Sequence, residues 1–338
     1  MEISSGVRML TLAETFTIAR GSTDSDEVVW AEIAHGDHVG RGEGAPDDRY
    51  GESVEAARRF IDSSGEALGD DPLALEAIER RLRARGGSVV GCCAVECALH
   101  DLAGKLIGQP TWRLLGLADR TPETSYTIGI DSIEGTADRA RRASEAGYRR
   151  LKVKLGGEHD LERLEAIRAV CDLPVRVDAN EGWDVAEARE LLPALVGLGV
   201  ELIEQPFPAG EREAFRELRA VRSGIPLVVD EGCHTLRDIA DVATYADGVN
   251  LKLAKTGGIR EAVRMVHAAR ALGLVVMLGC MIESSLGISA AGQFASLCDF
   301  VDLDGHLLIS DDPAEGLGLE DGRIVLSHRP GLGVEPRA

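Results

Sequence analysis

A regular alternation of short apolar runs and amphipathic helices dominates the chain from about residue 123. The runs are SYTIGI, RLKVKL, PVRVDAN, VELIEQP, PLVVDEG, GVNLKLAK, VVMLGCM and FVDLDG. From the second run onward, the residues that mark the end of the apolar part of each run are Lys154, Asp178, Glu204, Asp230, Lys252, Gly279 and Asp302, at intervals of 24, 26, 26, 22, 27 and 23 residues. About eight strand-helix units of this length close a parallel barrel. Because no clear long helix follows the last run, the spacing predicts an α/β fold, a modified TIM barrel of the (β/α)7β type.

The first third of the chain has a different pattern. VRMLTLAETFTIA and EVVWAEIAHG alternate as antiparallel strands do, whereas ESVEAARRFIDSSGEAL, PLALEAIERRLRA and CAVECALHDLAGKLI have helical periodicity. These patterns predict a separate N-terminal α+β domain over residues 1–118 and the barrel over residues 119–310. We expect the C-terminal segment, residues 311–338, to return to the N-terminal domain.

The charge of the chain excludes several classes of partner. Its formal net charge is −20 at pH 7, whereas nucleic acids and anionic membranes require a basic face on the proteins that bind them. No basic start followed by an apolar run occurs near Met1, and the stretch LGLVVMLGCMI is too short to cross a bilayer. We therefore expect a cytoplasmic protein that binds neither nucleic acid nor membrane.

Three consecutive strands of the predicted barrel end in a carboxylate, at Asp178, Glu204 and Asp230. In a parallel barrel the carboxyl ends of the strands form one rim, so these side chains converge there. Crowded carboxylates repel one another, and a cation is needed to hold them. An all-oxygen ligand set without His or Cys favours a hard divalent ion, so the sequence predicts a site for one Mg²⁺.

Lysine is rare in this chain, and most of its lysines lie in two clusters. The chain has 37 Lys and Arg residues, and four of its five lysines occur in LKVK and LKLAK. Arginine keeps its proton at any usable pH, whereas burial or a neighbouring like charge lowers the pKa of lysine from about 10.4 toward roughly 7 to 8. Lys152 and Lys154 share a strand face, so we expect each to lower the pKa of the other. Lys252 approaches the same rim from the opposite side of the barrel.

Two bases on opposite faces of a metal-held substrate are the requirement for inverting a carbon centre. One base removes a proton from the carbon and the other returns a proton to its opposite face. A metal ion beside the adjacent carboxylate stabilises the enediolate that forms between these two steps. The lysine clusters therefore favour a 1,1-proton transfer.

The motifs LKVKLGG, VDAN, IEQP, VDEG and VNLKLAKTGG occur in this order along the barrel. Together they resemble the enolase superfamily, in particular its muconate-lactonizing subgroup, in which a Lys or His base acts with Mg²⁺. The resemblance implies that the N-terminal third is a capping domain. It also implies metal ligands at Asp178, Glu204 and Asp230, and an acid/base pair formed by Lys154 and Lys252.

Within the subgroup, VDLDG is similar to the Asp-x-Asp motif of dipeptide epimerases. This similarity implies that Asp302 and Asp304 offer carboxylates to the α-ammonium group of a dipeptide. The reaction would then be epimerisation at the α-carbon of the C-terminal residue. L-Ala-D-Glu and L-Ala-L-Glu, in the recycling of cell-wall peptides, are the substrates that the resemblance favours.

The loop FTIARGS resembles the corresponding capping loop of L-Ala-D/L-Glu epimerases. The resemblance implies that Arg20 pairs bidentately with the glutamate side-chain carboxylate. It also places three further residues among those that bind the substrate or line its pocket: Thr127, Lys152 and Cys280.

Other functions stay open at this point. Within the subgroup they are an N-acylamino acid racemase, an o-succinylbenzoate synthase or a cycloisomerase, none of which needs two acids for an ammonium group. Outside it they are a Schiff-base lyase that uses Lys154 or Lys252 as nucleophile, and a non-catalytic metal-binding barrel. The sequence does not decide whether the chain forms a homo-oligomer.

Overall fold

The computed structural model describes residues 1–222 and 224–337. The chain begins with an antiparallel sheet in which β1 (Glu2–Ile18), β2 (Gly21–His35) and β3 (His38–Gly44) are neighbours in that order. A short 3₁₀ turn, Asp48–Tyr50, follows the sheet. Five helices come next: α1 (Val54–Asp62), α2 (Gly65–Leu68), α3 (Leu75–Ala84), α4 (Val89–Ile107) and α5 (Thr111–Leu114).

Helix α4 packs very closely on strands β2 and β3, and this contact forms the core of the N-terminal domain. A Cβ atom added to Gly42 would lie 2.2 Å from the Ala94 carbonyl oxygen and 2.4 Å from the Ala98 nitrogen. The glycines of β3 therefore let backbone approach backbone. We call this unit, the sheet β1–β3 with helices α1–α4, the capping domain because it lies over the mouth of the barrel.

Eight parallel strands form the barrel, and they are preceded by β4 (Arg120–Glu123), which belongs to a small sheet with the C-terminal segment. The barrel strands are β5 (Tyr126–Ile128), β6 (Leu151–Lys154), β7 (Val175–Asp178), β8 (Val200–Glu204), β9 (Leu227–Val229), β10 (Gly248–Leu251), β11 (Val275–Leu278) and β12 (Phe300–Val301). They are ordered in space as in the sequence, and a parallel bridge between Thr124 and Val301 brings the two edges together.

Helices fill the connections between the strands, as the spacing predicts. They are α6 (Ile133–Glu145), α7 (Asp160–Val170), α8 (Val185–Gly197), α9 (Arg212–Val221), α10 (Leu236–Val242), α11 (Leu253–Thr256), α12 (Ile259–Ala271) and α13 (Ser285–Gly292). Two 3₁₀ turns, Ala295–Leu297 and Gly305–Leu307, flank β12. The predicted (β/α)7β architecture with an N-terminal α+β capping domain is confirmed. None of the helices in the described part of the chain combines the length and apolar character needed to cross a membrane.

The C-terminal segment contacts both halves of the molecule. It contains β13 (Ala314–Glu315), β14 (Gly318–Glu320), β15 (Arg323–Val325) and β16 (Glu335–Pro336). The Leu332 backbone N donates to Asp101 Oδ1 on α4 at 2.8 Å, and Glu335 forms ion pairs with Arg41 and Lys105. We propose domain boundaries at residues 1–118, 119–310 and 311–338, although Ala338 lies outside the described residues.

Inside the barrel, the side chains two positions before Lys154, Glu204, Asp230, Lys252 and Gly279 form a layer below the rim. Lys152 and Asn250 are its buried polar members, and Leu202, Val228 and Met277 form an apolar cluster in the same layer. Because alternate residues of a strand share a face, the strand-end acids and Lys154 lie one level above this layer.

Candidate active site

The predicted acids and bases converge at the rim. Asp178 and Glu204 end β7 and β8, Asp230 directly follows β9, and all three are fully buried. Lys154 Nζ lies 2.7 Å from Asp178 Oδ2, and Lys252 Nζ lies 2.7 Å from Asp230 Oδ2. Since β6 and β10 are four positions apart in the eight-stranded barrel, the two lysines approach from opposite sides.

Lys152 links these acids to the eighth strand. Its Nζ lies 2.8 Å from both Asp302 Oδ2 and Glu204 Oε2 and 3.2 Å from Asp178 Oδ2. The residue is 2% exposed, so water contributes little to the balance of charge around it. Lys152 is therefore a buried counter-ion that holds three carboxylates around one point.

The lysine pKa values differ from the expectation drawn from the sequence. Burial acts to lower the pKa of Lys152, but Asp302, Glu204 and Asp178 outweigh it and raise the pKa well above its ordinary value. Burial of Lys252 is likewise outweighed, mainly by Asp230, and its pKa is also raised well above the ordinary value. The prediction of lowered values is wrong for these two residues, because the carboxylates act more strongly than the neighbouring ammonium groups.

Asp302 and Asp304 lie beyond the end of β12 and next to β5. The Thr127 backbone N donates to Asp304 Oδ2 at 2.6 Å, and Thr127 Oγ1 donates to Asp302 Oδ1 at 3.3 Å. Burial, and then the charge of Asp302, raise the pKa of Asp304 to about 7. Two crowded carboxyl groups attract a cation, so this corner of the site suits an ammonium group.

A cavity of about 750 Å³ lies between the capping domain and the rim. The predicted site residues on its wall are Arg20, Thr127, Lys152, Lys154, Lys252, Cys280, Asp302 and Asp304. The three strand-end acids lie behind the lysines. Burial raises the pKa of Cys280 well above its ordinary value, which keeps this thiol protonated as part of the wall. A cavity of this size accommodates a small peptide.

Arg20 reaches the barrel from the loop between β1 and β2. Its Nη1 donates to Glu231 Oε1 at 2.7 Å and to the Asn180 carbonyl oxygen at 3.0 Å, and it lies 3.6 Å from Glu181 Oε2. Nε and Nη2 of Arg20 donate no hydrogen bond within residues 1–222 and 224–337. Arg20 therefore attaches the capping loop to the barrel through one nitrogen and keeps a two-donor edge for another partner.

The three strand-end acids fit a divalent cation in their chemistry. Their donors are all oxygen, and Glu204 Oε2 and Asp230 Oδ2 are buried without a directed hydrogen bond, although ammonium groups lie 2.8 and 2.7 Å away. Among the residues that the structure describes, no three His, Cys, Asp or Glu side chains form a ready-made metal cage. Lysine ammonium groups lie against the acids instead, so binding of a cation requires these groups to move aside.

Sequence reasoning missed three residues that support the strand-end acids: Lys255, Asn250 and Gln205. Lys255 Nζ donates to Asp230 Oδ1 at 2.5 Å, to the Asp230 carbonyl oxygen at 2.6 Å and to the Asn250 carbonyl oxygen at 3.0 Å. Asn250 Nδ2 donates to Glu204 Oε1 at 2.7 Å, and Gln205 Oε1 accepts from the backbone N of Asp230 at 2.8 Å. Two sequence features could have indicated these residues. Lys255 belongs to the lysine cluster LKLAK. Asn250 lies two residues before Lys252 and therefore on the same face of its strand.

Comparison with known proteins agrees with this geometry. Residues 135–338 match the enolase C-terminal domain-like family. The chain is 40% identical to the L-Ala-D/L-Glu epimerase of Bacteroides thetaiotaomicron, over 96% of this chain and 85% of that protein.

Solved structures show the same similarity over whole chains. A substrate-liganded complex of the L-Ala-D/L-Glu epimerase from Bacillus subtilis superposes with a TM-score of 0.95 at 31% identity, over 100% of this chain and 99% of that one. The dipeptide epimerase of Enterococcus faecalis, complexed with Mg and the dipeptide L-Leu-L-Tyr, superposes with a TM-score of 0.93 at 30% identity, over 98% of each chain.

The fold and the rim chemistry define a barrel enzyme that carries a capping domain over its active site. The chain belongs to the enolase superfamily. Within that superfamily it groups with the dipeptide epimerases and is an isomerase.

Proposed function

We propose that this enzyme epimerises dipeptides, with Mg²⁺, at the α-carbon of the C-terminal residue. The observation that carries the proposal is the position of Lys154 and Lys252, which line one cavity from opposite sides of the barrel. Asp302 and Asp304 supply a second, acidic corner of the same cavity. A dipeptide has the matching groups, a carboxylate at one end and an ammonium group at the other.

The chain's own residues perform the proton transfer in this proposal. One lysine accepts the α-proton as the neutral amine, a form that Mg²⁺ on the three acids would favour because it would offset the carboxylate charge that raises the lysine pKa. The electron pair of the carbon moves into the adjacent carboxylate in the same step. The other lysine begins as the ammonium ion and delivers a proton to the opposite face of the carbon. The same pair runs in reverse from the other epimer. Asp178, Glu204 and Asp230 would hold Mg²⁺, which supplies positive charge beside the substrate carboxylate.

For the side chain of the C-terminal residue we propose glutamate. Arg20 is on the cavity wall, and its Nε and Nη2 form an edge that matches a carboxylate bidentately. The proposed substrates are L-Ala-D-Glu and L-Ala-L-Glu, and the proposed setting is the recycling of cell-wall peptides in the cytoplasm. Thr127, Lys152 and Cys280 would complete the wall around them.

The direct test is to incubate the enzyme with L-Ala-L-Glu and follow formation of L-Ala-D-Glu by proton NMR. We expect conversion in both directions, its loss on treatment with EDTA, and its recovery when Mg²⁺ is added. A panel with L-Ala-L-Leu and L-Ala-L-Lys measures selectivity for the side chain. Absence of conversion for every dipeptide would reject the proposed function, and equal rates across the panel would reject glutamate selectivity alone.

A further inference from the structure

The turn that follows β7 has an unusual backbone and receives two arginines from the capping domain. Asn180 has a φ of 45° and Glu181 a φ of 71°, and two consecutive non-glycine residues in this region cost about 1–3 kcal/mol each. Arg20 donates to the Asn180 carbonyl oxygen, and Arg49 donates to the Glu181 side chain. The strained turn therefore presents one acceptor to each arginine.

Arg49 holds Glu181 through both carboxylate oxygens. Arg49 Nη2 lies 2.6 Å from Oε1 and 2.8 Å from Oε2 of Glu181, and Arg49 Nε lies 2.9 Å from Oε2. The backbone N of Ala209 adds a hydrogen bond to Oε1 at 2.8 Å. The Glu181 side chain is 9% exposed whereas that of Arg49 is 41% exposed, so Arg49 covers the carboxylate from the solvent side.

Glu181 is also a potential partner of Arg20, which lies only 3.6 Å away. The first partner of Arg20 is Glu231, at 2.7 Å. If Glu181 were not neutralised by Arg49, its charge would attract Arg20 and reduce the attraction of that guanidinium for a substrate carboxylate. The bidentate Arg49 pair removes this competition and leaves the Nε and Nη2 edge of Arg20 without a protein partner in the described part of the chain.

We propose that Arg49 is a positioning residue that sets side-chain selectivity by acting through Glu181 on Arg20. The inference rests on the proposed function, since it requires Arg20 to bind the acidic side chain of the substrate. Arg49 itself is not among the residues that line the cavity with Lys154 and Lys252. Its effect falls on substrates with an acidic C-terminal side chain and not on those with an uncharged one.

The test compares Arg49→Ala with the double variant Arg49→Ala/Glu181→Gln, using L-Ala-L-Glu and L-Ala-L-Leu. Arg49→Ala should raise KM for L-Ala-L-Glu by about tenfold, with kcat nearly unchanged and little effect on L-Ala-L-Leu. The double variant should bring KM for L-Ala-L-Glu back to within about threefold of wild type, because the competing charge is removed. A purely structural link would give no such rescue.

The control is Arg323→Ala, which removes another partly exposed arginine and breaks its ion pair with Glu123, 3.0 Å long, in the small β4–β15 sheet. It should leave KM for both dipeptides unchanged. The inference would be overturned if Arg49→Ala raised KM equally for the two substrates. It would also be overturned if the double variant had the same KM for L-Ala-L-Glu as Arg49→Ala. A wild-type enzyme that converts no dipeptide would instead reject the proposed function, so the two failures are distinguishable.

Discussion

Asp230 shares its carboxylate between two lysines whose surroundings differ. Lys252 contacts Oδ2 and lies on the cavity wall, whereas Lys255 contacts Oδ1 and two backbone carbonyl oxygens below the rim. Lys255 is therefore held by three acceptors, and in the proposed reaction it would continue to balance the charge of Asp230 when Lys252 turns toward the substrate. This arrangement separates the structural counter-ion, Lys255, from the lysine that we propose as catalytic, Lys252.

We predict that Lys255→Met lowers the free energy of unfolding by about 3 kcal/mol, because it leaves a buried carboxylate with one counter-ion fewer. Urea denaturation monitored by circular dichroism measures the change. Arg141→Met is the control, since it removes an exposed pair with Asp138, 2.5 Å long, in which both side chains are about half or more exposed. The control should lose less than about 1 kcal/mol. Equal losses in the two variants would contradict the role given to Lys255.

At the scale of residues, the sequence predicts the acids and lysines at the strand ends. It predicts few of the residues that hydrogen-bond to them. Asp178, Glu204 and Lys154 are predictable because the barrel period fixes their phase and the rim collects strand ends. The LKLAK cluster draws attention to Lys255, but its contact with Asp230 is not predictable, since Lys255 lies on the short helix α11 and its side chain returns to Asp230. That direction depends on the turn after Lys252, which no local pattern specifies.

Among the elements, the contact between α4 and β3 depends most on residue size. A Cβ atom on Gly42 would lie 2.9 Å from Cys97 Cβ, in addition to its contacts with the α4 backbone. A Cβ atom on Gly6 of β1, the far strand of the same sheet, would meet nothing within 4 Å. Alanine at Gly6 therefore measures the general effect of replacing a strand glycine on stability. Alanine at Gly42 measures that effect together with the cost of the clash with α4.

We predict that Gly42→Ala lowers the free energy of unfolding by about 3 kcal/mol, because α4 must move away from the sheet. Gly6→Ala should change it by less than about 1 kcal/mol. Thermal denaturation of the two variants beside wild type supplies the measurement. A Gly42→Ala protein as stable as Gly6→Ala would show that α4 accommodates the methyl group without cost.

The helices of the capping domain show that hydrophobic periodicity alone does not predict where a helix ends. ESVEAARRFIDSSGEAL has one helical pattern, yet the structure divides it into α1 and α2. Ser63 Oγ donates to the Arg59 carbonyl oxygen and Ser64 Oγ to the Phe60 carbonyl oxygen. Side-chain hydroxyls that bond nearby carbonyl oxygens compete with the helical pattern and end α1 there. The apolar period persists across the break because both helices face the same core.

For the molecule as a whole, the capping domain is joined to the barrel by a buried acid. Glu79 on α3 forms ion pairs with Arg260 at 3.0 Å and Arg264 at 2.5 Å on α12, and with Arg83 on its own helix. Burial acts to raise the pKa of Glu79, but its hydrogen bonds with Arg264 and Arg83 outweigh burial and lower the pKa to about 2. The interface is therefore strongest when Glu79 is ionised.

The lowered pKa of Glu79 determines how the free energy of unfolding changes with pH. A carboxyl group whose pKa is lower in the folded state adds stability above its unfolded pKa of about 4.3, and that stability is lost as pH falls toward about 2. We predict that Glu79→Gln is less stable than wild type at pH 6 and that the difference narrows between pH 4.5 and pH 2.5. Urea denaturation across this range measures it, and Glu76→Gln, exposed on the same helix, is the control. A difference independent of pH would contradict the assignment.

The central claim is that Lys154 and Lys252 exchange a proton with the α-carbon from opposite faces. Its most direct test is proton NMR of L-Ala-L-Glu and L-Ala-D-Glu in D₂O with wild type, Lys154→Ala and Lys252→Ala, after metal binding by each variant has been checked by calorimetry. Wild type should place deuterium at the α-carbon of the C-terminal residue starting from either epimer, and each variant should bind metal but fail to interconvert the epimers. Interconversion that persists in either variant, or that proceeds without deuterium entering this carbon, would contradict the two-base account.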